Sequence, residues 1–221
     1  MLYIVATPIG NLGDITLRAI ETLKQCDFVM AENPSYSHRL LQHIKAWPKE
    51  VVQFAEFNEQ QVLKDLTRRL TKQDGALITD AGTPGISDPG FRLVRECVKE
   101  NVQVIPIPGA NAAITALSAS GLPTDRFMFL GFLQKTAAKT VEALQAAADA
   151  EATAIFYESP ERILKTLGYV SNAFPTSQVV VARELTKMHE EFLRGTPADV
   201  IHQLKEKPSI KGEITVLISF K

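Results

Sequence analysis

A regular alternation of short apolar runs with longer amphipathic segments is the feature that most limits how this chain can fold. In the first half the apolar runs lie at 2–6, 28–31, 76–79 and 102–107. Each run has the length of a strand, and the segments between them carry apolar residues at helical spacing. Strands without polar alternation must be covered on both faces, so the pattern predicts a parallel sheet with helices on either side.

The same alternation continues in the second half, with strand-length runs at 127–132, 153–157, 178–183, 191–194 and 212–220. The halves are separated by Gly121-Leu122-Pro123-Thr124, and a cluster of Gly and Pro is typical of a turn or linker. We therefore predict an α/β fold with two α/β domains, residues 1–120 and residues 121–221.

Two helix starts are predicted from short polar residues, Asp14 and Asn58. Such side chains accept hydrogen bonds from the first free N–H groups of a helix. Pro89 is expected in the first turn of a helix over 91–100, where proline is tolerated.

The formal net charge of the 221 residues is −1. The chain thus lacks the excess of Lys and Arg that binds nucleic acid irrespective of sequence, and an RNA partner would need a local groove or a preformed complex. No stretch approaches the roughly 18 apolar residues of a membrane span, and the N-terminus lacks the basic region of a signal peptide. Cys26 and Cys97 are too few for a disulfide framework, so we expect a cytoplasmic protein with two buried thiols.

Three loops rich in Gly, Pro and Asp follow predicted strands of the first half, at 7–14, 80–90 and 106–112. Each opens a helix and therefore presents free backbone N–H groups. Glycine lets a ligand approach the backbone closely, and proline stiffens the loop. A tight turn would explain any one of these loops, but three at the same predicted sheet edge favour a ligand site.

Several common binding patterns are missing from the sequence. The glycines never form G-x-G, which excludes the dinucleotide fingerprint and the glycine-rich loop typical of Rossmann methyltransferases. The histidines lack zinc spacing, and no metal site is expected. Asp80 and Asp88 carry the carboxylates that Mg²⁺ prefers, but capping of their own loop is the interpretation we favour.

Charged residues follow two buried runs of the second half. Glu158 ends the run that begins at 153, and Arg183-Glu184, with Lys187 beyond it, ends the run that begins at 178. The simplest interpretation is an ion pair that holds a strand end. The alternative is that these residues line a cleft between the domains.

The segment Ala6-Thr7-Pro8-Ile9-Gly10-Asn11-Leu12-Gly13-Asp14-Ile15-Thr16 resembles the opening of the bacterial 16S ribosomal RNA cytidine 2′-O-methyltransferases, which belong to the tetrapyrrole methylase superfamily. Asp80–Arg92, Phe156–Pro160 and Ala182–Lys187 resemble the same family in the same order. The resemblance spans nearly the whole chain. It implies two α/β domains of the tetrapyrrole methylase type, with S-adenosylmethionine held in the cleft between them. It also implies a homodimer that acts on 16S ribosomal RNA in the small ribosomal subunit.

The resemblance further implies which residues form the site. Those assigned to the cofactor are Pro8, Asp80, Gly82, Thr83, Ser87, Asn111, Ala112, Tyr157, Leu185, Gly212 and Ile214. The candidates for catalysis are chosen instead as charged residues at or near predicted strand ends that would face the cleft: Glu32, Glu158, Arg183, Glu184 and Lys187. The three glutamates are candidate general bases for a ribose hydroxyl, and the two cations are candidates to hold a phosphate or a developing alkoxide.

One segment departs from the family. Residues 32–37 read Glu-Asn-Pro-Ser-Tyr-Ser, where the family pattern resembles Glu-Asp-Thr-Arg-His-Thr. The change removes an acid and an arginine, and arginine is a bidentate partner for phosphate. Methyl transfer is therefore better supported than the ribosomal target. The alternatives are a methyltransferase of the same fold that acts on a tetrapyrrole precursor or other small molecule, and an inactive RNA-binding or ribosome-assembly homologue.

Overall fold

The structure is a computed structural model, and it describes residues 1–220. Contacts divide the chain into a first unit, Met1–Asn111, and a second unit that begins at Ala112. Each unit is built on one five-stranded sheet.

The sheet of the first unit is entirely parallel, with the strand order β3-β2-β4-β1-β5. Its strands are β1 (Leu2–Val5), β2 (Phe28–Ala31), β3 (Val51–Gln53), β4 (Gly75–Ile78) and β5 (Val104–Ile107). Its helices are α1 (Leu17–Gln25), α2 (Pro34–His43), α3 (Glu59–Leu70) and α4 (Phe91–Lys99). The predicted parallel sheet is therefore confirmed, together with four of its five strands; β3 was not predicted.

Both faces of this sheet carry an apolar layer. One layer packs α1 and α2 on strand residues such as Val29 and Ile78. The other packs α3 and α4 on Phe28 and Leu77. The alternation of side chains along each strand sends neighbouring residues to opposite layers, which explains why the strands are apolar throughout.

The two cysteines lie in different layers of the first unit, Cys26 beside α1 and α2 and Cys97 beside α3 and α4. Both are buried and unpaired with each other, as predicted. Burial raises the pKa of each thiol to about 11.

The sheet of the second unit is mixed, with the order β6-β7-β10-β8-β9. Only β6 and β7 pair in parallel; β10 runs antiparallel to β7 and β8, and β8 runs antiparallel to β9. The strands are β6 (Phe127–Phe132), β7 (Thr153–Glu158), β8 (Gln178–Arg183), β9 (Glu191–Gly195) and β10 (Ile214–Ser219). The helices are α5 (Ala112–Ser120), α6 (Ala137–Asp149), α7 (Ile163–Ala173) and α8 (Pro197–Lys205).

Helices α6, α7 and α8 cover one face of this sheet through a single apolar core. Helix α5 packs against β7, β8 and β10, and Arg194 of β9 donates hydrogen bonds to the carbonyls of Ala119 and Ser120 at its end. These contacts place α5 in the second unit, whereas the predicted boundary at 120/121 placed it in the first. Its residues are small and mostly apolar on every side, so sequence periodicity gave no indication of the sheet it would cover.

Two helix starts differ from the prediction. Asp14 ends a 3₁₀ turn over Leu12–Asp14, and Thr16 caps α1 by accepting a hydrogen bond from the Ala19 N–H at 3.1 Å. Pro89 lies before α4, which begins after Gly90. In both places the Gly- and Pro-rich loop extends further than expected. Each loop forms internal backbone hydrogen bonds, from the Asp14 N–H to the Asn11 carbonyl in the first and from the Gly85 N–H to the Pro89 carbonyl in the second. Within residues 1–220 we find no helix with the length and apolar character required to cross a bilayer.

Replacement of Gly75 by alanine is expected to destabilise the first unit. A Cβ atom there would lie 2.6 Å from Phe28 Cζ and 2.8 Å from Leu70 Cδ2, so the core must shift at a cost of about 1–3 kcal/mol. Gly168→Ala in α7 is the matched control, since nothing lies within 4 Å of its Cβ position and alanine favours a helix by about 1 kcal/mol over glycine. Urea unfolding followed by circular dichroism measures both; equal stability of the two variants would contradict the packing described here.

Candidate functional site

Direct hydrogen bonds tie together the three loops that follow β1, β4 and β5. The backbone N–H of Thr7 donates to the Gly82 carbonyl at 2.8 Å, and the Gly82 N–H donates back to Thr7 at 3.0 Å. The hydroxyl of Thr83 donates to the Ala110 carbonyl at 3.1 Å. The three loops therefore meet at the carboxyl edge of the parallel sheet, where α/β proteins bind ligands.

Two glycines permit this close meeting. Gly82 has φ +83°, a left-handed conformation that other residues rarely adopt. Gly109 lies so near β1 that a Cβ atom would be 2.9 Å from the Cβ of Ala6. A side chain at either position would strain the backbone or separate the loops.

A carboxylate cluster, formed by Glu32, Asp80 and Asp88, lies at the same edge. The Asp80 N–H favours the ionised form of the Glu32 carboxylate, and the Asn33 N–H favours that of the Asp80 carboxylate. The ends of the adjacent strands β2 and β4 therefore bring these groups near one another. The Oδ1 atom of Asp80 is buried and has no hydrogen-bond partner within the described part of the chain.

The pKa of each of the three acids is raised, and burial is the largest cause in every case. Burial, followed by the charges of Glu32 and Asp80, raises the pKa of Asp88 to about 7. Burial and the charge of Asp80 raise the pKa of Glu32, and burial raises that of Asp80. Within residues 1–220 none of the three acids forms an ion pair with a cation, so the ionised cluster has a negative potential.

Sequence reasoning identified Glu32 and Asp80 as site residues but interpreted Asp88 as a loop cap. The raised pKa of Asp88 arises from burial first and then from the charges of two carboxylates at other strand ends. The sequence did contain a sign of this environment: Glu32 follows β2 and Asp80 follows β4, and parallel strands bring both acids to one edge of the sheet.

The structure places the remaining first-unit candidates on these loops or beside them. Pro8 is buried next to the Thr7–Gly82 bridge. Ser87 is exposed and has φ +64°. Asn111 ends the first unit, and Ala112 begins α5 in the second.

The candidates of the second unit meet at one edge of its own sheet. The first residue of β10, Ile214, pairs with both Glu158 at the end of β7 and Arg183 at the end of β8. Tyr157 pairs with the next residue of β10. Gly212 has φ +90° and packs directly under Glu184, where a Cβ atom would overlap the carboxylate.

Backbone strain marks the segment after β8, because Glu184 and Thr186 have φ of +53° and +65°. Leu185 between them is buried. Residues other than glycine hold such conformations only where their surroundings enforce them, and these conformations cluster at functional sites.

Lys187 forms ion pairs with Glu184 at 2.9 Å and with Glu213 at 3.1 Å. Burial opposes the charge on Glu184, but hydrogen bonds from Lys187 and from the Glu213 N–H outweigh it and lower the pKa of Glu184. Burial similarly opposes the charge on Lys187, and its bonds to the two glutamates raise its pKa. Glu184 is therefore ionised and a weak proton acceptor.

Two other charged candidates have structural partners. Arg183 Nε lies 2.5 Å from Glu191 Oε1, and its guanidinium also donates to the Lys211 carbonyl. Glu158 accepts hydrogen bonds from the Thr166 hydroxyl at 2.6 Å and from the Ser159 N–H at 2.8 Å. Its ion pair with Arg162 spans 3.4 Å. These contacts correspond to the strand-end ion pairs that the sequence favoured.

The segment that departs from the family pattern forms the start of α2. Asn33 is the N-cap and accepts a hydrogen bond from the Tyr36 N–H at 3.3 Å, and Pro34 is the first helical residue. Both residues favour the start of a helix at these positions. Asn33 and Pro34, which differ from the family pattern, therefore stabilise the start of α2. Within residues 1–220 no three His, Cys, Asp or Glu side chains are arranged so that they could hold a metal ion.

Comparison with known proteins gives a consistent result. Residues 1–201 match the sequence profile of the tetrapyrrole (corrin/porphyrin) methylases. A ribosomal RNA small subunit methyltransferase I from Halalkalibacterium halodurans is 47% identical over 98% of this chain and 75% of its own length. The protein of the same name from Hydrogenobaculum sp. is 45% identical over 99% of this chain and 95% of its own length.

Solved structures with low sequence identity share the fold. Diphthine synthase superimposes with a TM-score of 0.75 at 16% identity, covering 99% of this chain and 89% of its own. A cobalt precorrin-4 methyltransferase of cobalamin biosynthesis superimposes with a TM-score of 0.66 at 19% identity, covering 99% and 94%. The profile match and the identity to full-length relatives agree with the loop architecture: the chain belongs to the tetrapyrrole (corrin/porphyrin) methylase family.

Proposed function

We propose that this chain transfers a methyl group from S-adenosylmethionine to the ribose 2′-hydroxyl of a cytidine in small-subunit ribosomal RNA. The observation that carries the proposal is the edge of the first sheet, where three joined loops meet and where Asp88 has a pKa raised by burial and by two further carboxylates. Methyl transfer is the activity named for the family and for the relatives.

The residues of this edge fit the donor. S-adenosylmethionine carries positive charge on its sulfonium and amino groups, and the carboxylate cluster offers Glu32, Asp80 and Asp88 as counter-charges. The unpartnered Asp80 Oδ1 supports this assignment, since a buried acceptor without a partner is costly until a donor or cation reaches it. When bound, the donor supplies a methyl group that its positive sulfur has already activated.

The protein must then position a nucleophile and remove its proton. A ribose hydroxyl is a weak nucleophile at neutral pH, so alignment with the methyl group accounts for much of the acceleration. A general base works best when its pKa is near the working pH. The pKa of Asp88 is about 7, and that of Glu32 is raised. Because their charges interact, we expect the cluster to take up this proton as a unit.

The second unit contributes Lys187, Glu184 and Gly212 to the proposal. The raised pKa of Lys187 keeps its ammonium charged, which suits contact with a phosphate. Glu184, with its lowered pKa, positions that ammonium. Glu158 and Arg183 hold strand ends, and this proposal gives them no part in proton transfer.

The ribosomal target is proposed from the names of the relatives. Because bulk charge would not attract free RNA, an assembled small subunit is the proposed substrate. A ribosomal substrate would place the protein in the cytoplasm. The homodimer implied by the sequence stays a prediction, which sedimentation of the purified chain would test.

Methyl transfer is tested by incubating the protein and labelled S-adenosylmethionine with small subunits from a strain that lacks this gene. We expect label in the ribosomal RNA, and digestion followed by mass spectrometry to place it on a cytidine ribose. Transfer to an added tetrapyrrole precursor instead would support the small-molecule alternative. Donor binding without transfer to either acceptor would contradict the proposed reaction.

The role of Asp80 is tested by Asp80→Asn, which keeps the shape of the side chain and removes its charge. We expect the affinity for S-adenosylmethionine in calorimetry to fall by about tenfold or more, because a charge-assisted contact contributes about 1.5–3 kcal/mol. Asp65→Asn on the exposed surface of α3 is the matched control. A wild-type affinity in the Asp80→Asn variant would remove the carboxylate from the donor site.

The pKa of Asp88 predicts a pH dependence of binding. As the pH rises from 6 to 8 through the pKa of about 7, the cluster gains negative charge. The preference for S-adenosylmethionine over S-adenosylhomocysteine, which lacks the sulfonium charge, should therefore increase. Calorimetry of both ligands measures this ratio, and Asp88→Asn should make it independent of pH in this range.

The same group predicts the sign of a stability change. The folded-state pKa of Asp88 is raised above its usual value of 3.8, so stability falls as the pH rises from about 4 to about 7. Asp88→Asn should be more stable than the wild type at pH 8 by about 1 kcal/mol, after allowance for partial exposure. At pH 4 the difference should vanish. Thermal unfolding of both proteins at pH 4 and pH 8 measures this stability difference. An equal stability difference at the two pH values would contradict the raised pKa of Asp88.

A further inference from the structure

An aromatic patch, formed by Phe127, Phe129, Phe132 and Tyr157, lies on the edge strand β6 and its neighbour β7. The rings of Phe129 and Phe132 meet the ring of Tyr157 edge to face, at centroid distances of 5.0 and 5.6 Å. Phe132 is 62% exposed and Phe127 is 45% exposed. Such large exposed rings in one place are typical of an interaction surface.

A β-bulge creates this patch. Phe129 pairs with Ile155 and Phe132 pairs with Tyr157, so β6 has one residue more than β7 between these pairs. Gly131 within the bulge has φ +61°. In a regular strand, side chains three residues apart point to opposite faces; the bulge turns Phe132 to the face of Phe129. Met128 and Leu130 pack against the core instead.

Cations stand at both ends of β6. Arg126 precedes the strand and Lys135 follows it, and both are exposed. Neither forms an ion pair with any other part of residues 1–220, whereas the nearby Lys139 is paired with Glu142 at 2.7 Å. β6 is also the outermost strand of its sheet, so the patch is open on one side. Exposed rings between free cations match a polyanion with flat, stackable groups.

We propose that the aromatic patch stacks unpaired bases of the RNA substrate while Arg126 and Lys135 contact the adjacent phosphates. The inference rests on the proposed function and adds to it a surface that recognises the target. Proteins bind unpaired RNA by stacking bases on aromatic rings within a positively charged surface. A second copy of the chain would bring the same free cations to the contact, which disfavours it as the occupant. Tyr157 links the patch to the residues that the resemblance assigns to the methyl donor.

Phe132→Leu tests stacking, because it keeps the apolar volume and removes the ring. In the methyl-transfer assay we expect KM for small subunits to rise about 5- to 100-fold, the range for loss of one stacked base, with the calorimetric affinity for S-adenosylmethionine unchanged. Phe132→Trp keeps a ring and should retain more of the affinity than Phe132→Leu. Trp47→Leu is the matched control: Trp47 is 68% exposed in the first unit and should leave KM unchanged.

Lys135→Met tests the phosphate contact. The affinity of the protein for a fluorescent twelve-nucleotide oligocytidine is measured by anisotropy at several salt concentrations. Loss of one phosphate contact should reduce the slope of log K against log salt by about 0.7. An unchanged slope would overturn the role of this cation.

These experiments distinguish the proposed methyl transfer from the proposed RNA contact. If the wild-type protein binds the oligonucleotide but methylates nothing, the result would contradict the proposed function and support RNA binding by the aromatic patch. If the Phe132→Leu variant is active and keeps the wild-type KM and oligonucleotide affinity, the result would overturn RNA binding by the aromatic patch and leave the proposed function intact. A shift of Phe132→Leu from dimer to monomer in sedimentation, with KM unchanged, would overturn the RNA contact in favour of a second copy.

Discussion

The backbone hydrogen bonds between Thr7 and Gly82 are the constraint on which the candidate site depends. Parallel strands bring their carboxyl ends to one edge, but the following loops diverge unless something holds them. Here the two residues exchange hydrogen bonds of 2.8 and 3.0 Å, and the Thr7 hydroxyl donates to the Thr79 carbonyl at 3.1 Å. The loop after β4 is thereby fixed against the loop after β1, and Asp80 is held beside Glu32.

The two units differ in how the charged residues at the edges of their sheets are paired. At the edge of the first sheet, acids from β2 and from the loop after β4 are brought together without a cation, and their pKa values are raised. At the edge of the second sheet, Lys187 forms ion pairs with both Glu184 and Glu213. The second edge therefore holds its charged side chains in ion pairs, whereas the acids of the first edge form none within residues 1–220.

Much of the fold could be predicted because continuous apolar strands have few alternatives to a covered sheet. The strand β3 escaped detection because Val51–Gln53 is only three residues long, too short to show a pattern. The contacts of helix α5 with the second sheet could not be predicted, since small residues on all sides give the helix no distinct apolar face. The formation of β3 and the packing of α5 depend on contacts between residues that are distant in sequence.

The site was partly predictable for the same reason. Gly- and Pro-rich loops after parallel strands must meet at one edge, so the meeting of the loops at 7–14, 80–90 and 106–112 could be predicted without coordinates. The choice of Gly82 and Thr83 within them came from the family resemblance and stays a prediction. The altered environment of Asp88 could not, because it depends on how closely Glu32 and Asp80 approach it. The turn of Phe132 to the face of Phe129 was equally hidden, since one extra residue in β6 reverses the alternation on which sequence reasoning relies.

The placement of the two cysteines has a practical consequence. Both lie in the first unit, one on each side of its sheet, and the remaining chain has none. A thiol-reactive dye thus labels this protein only when one of those two layers opens. The labelling rate therefore measures how often the first unit opens, without any engineered probe.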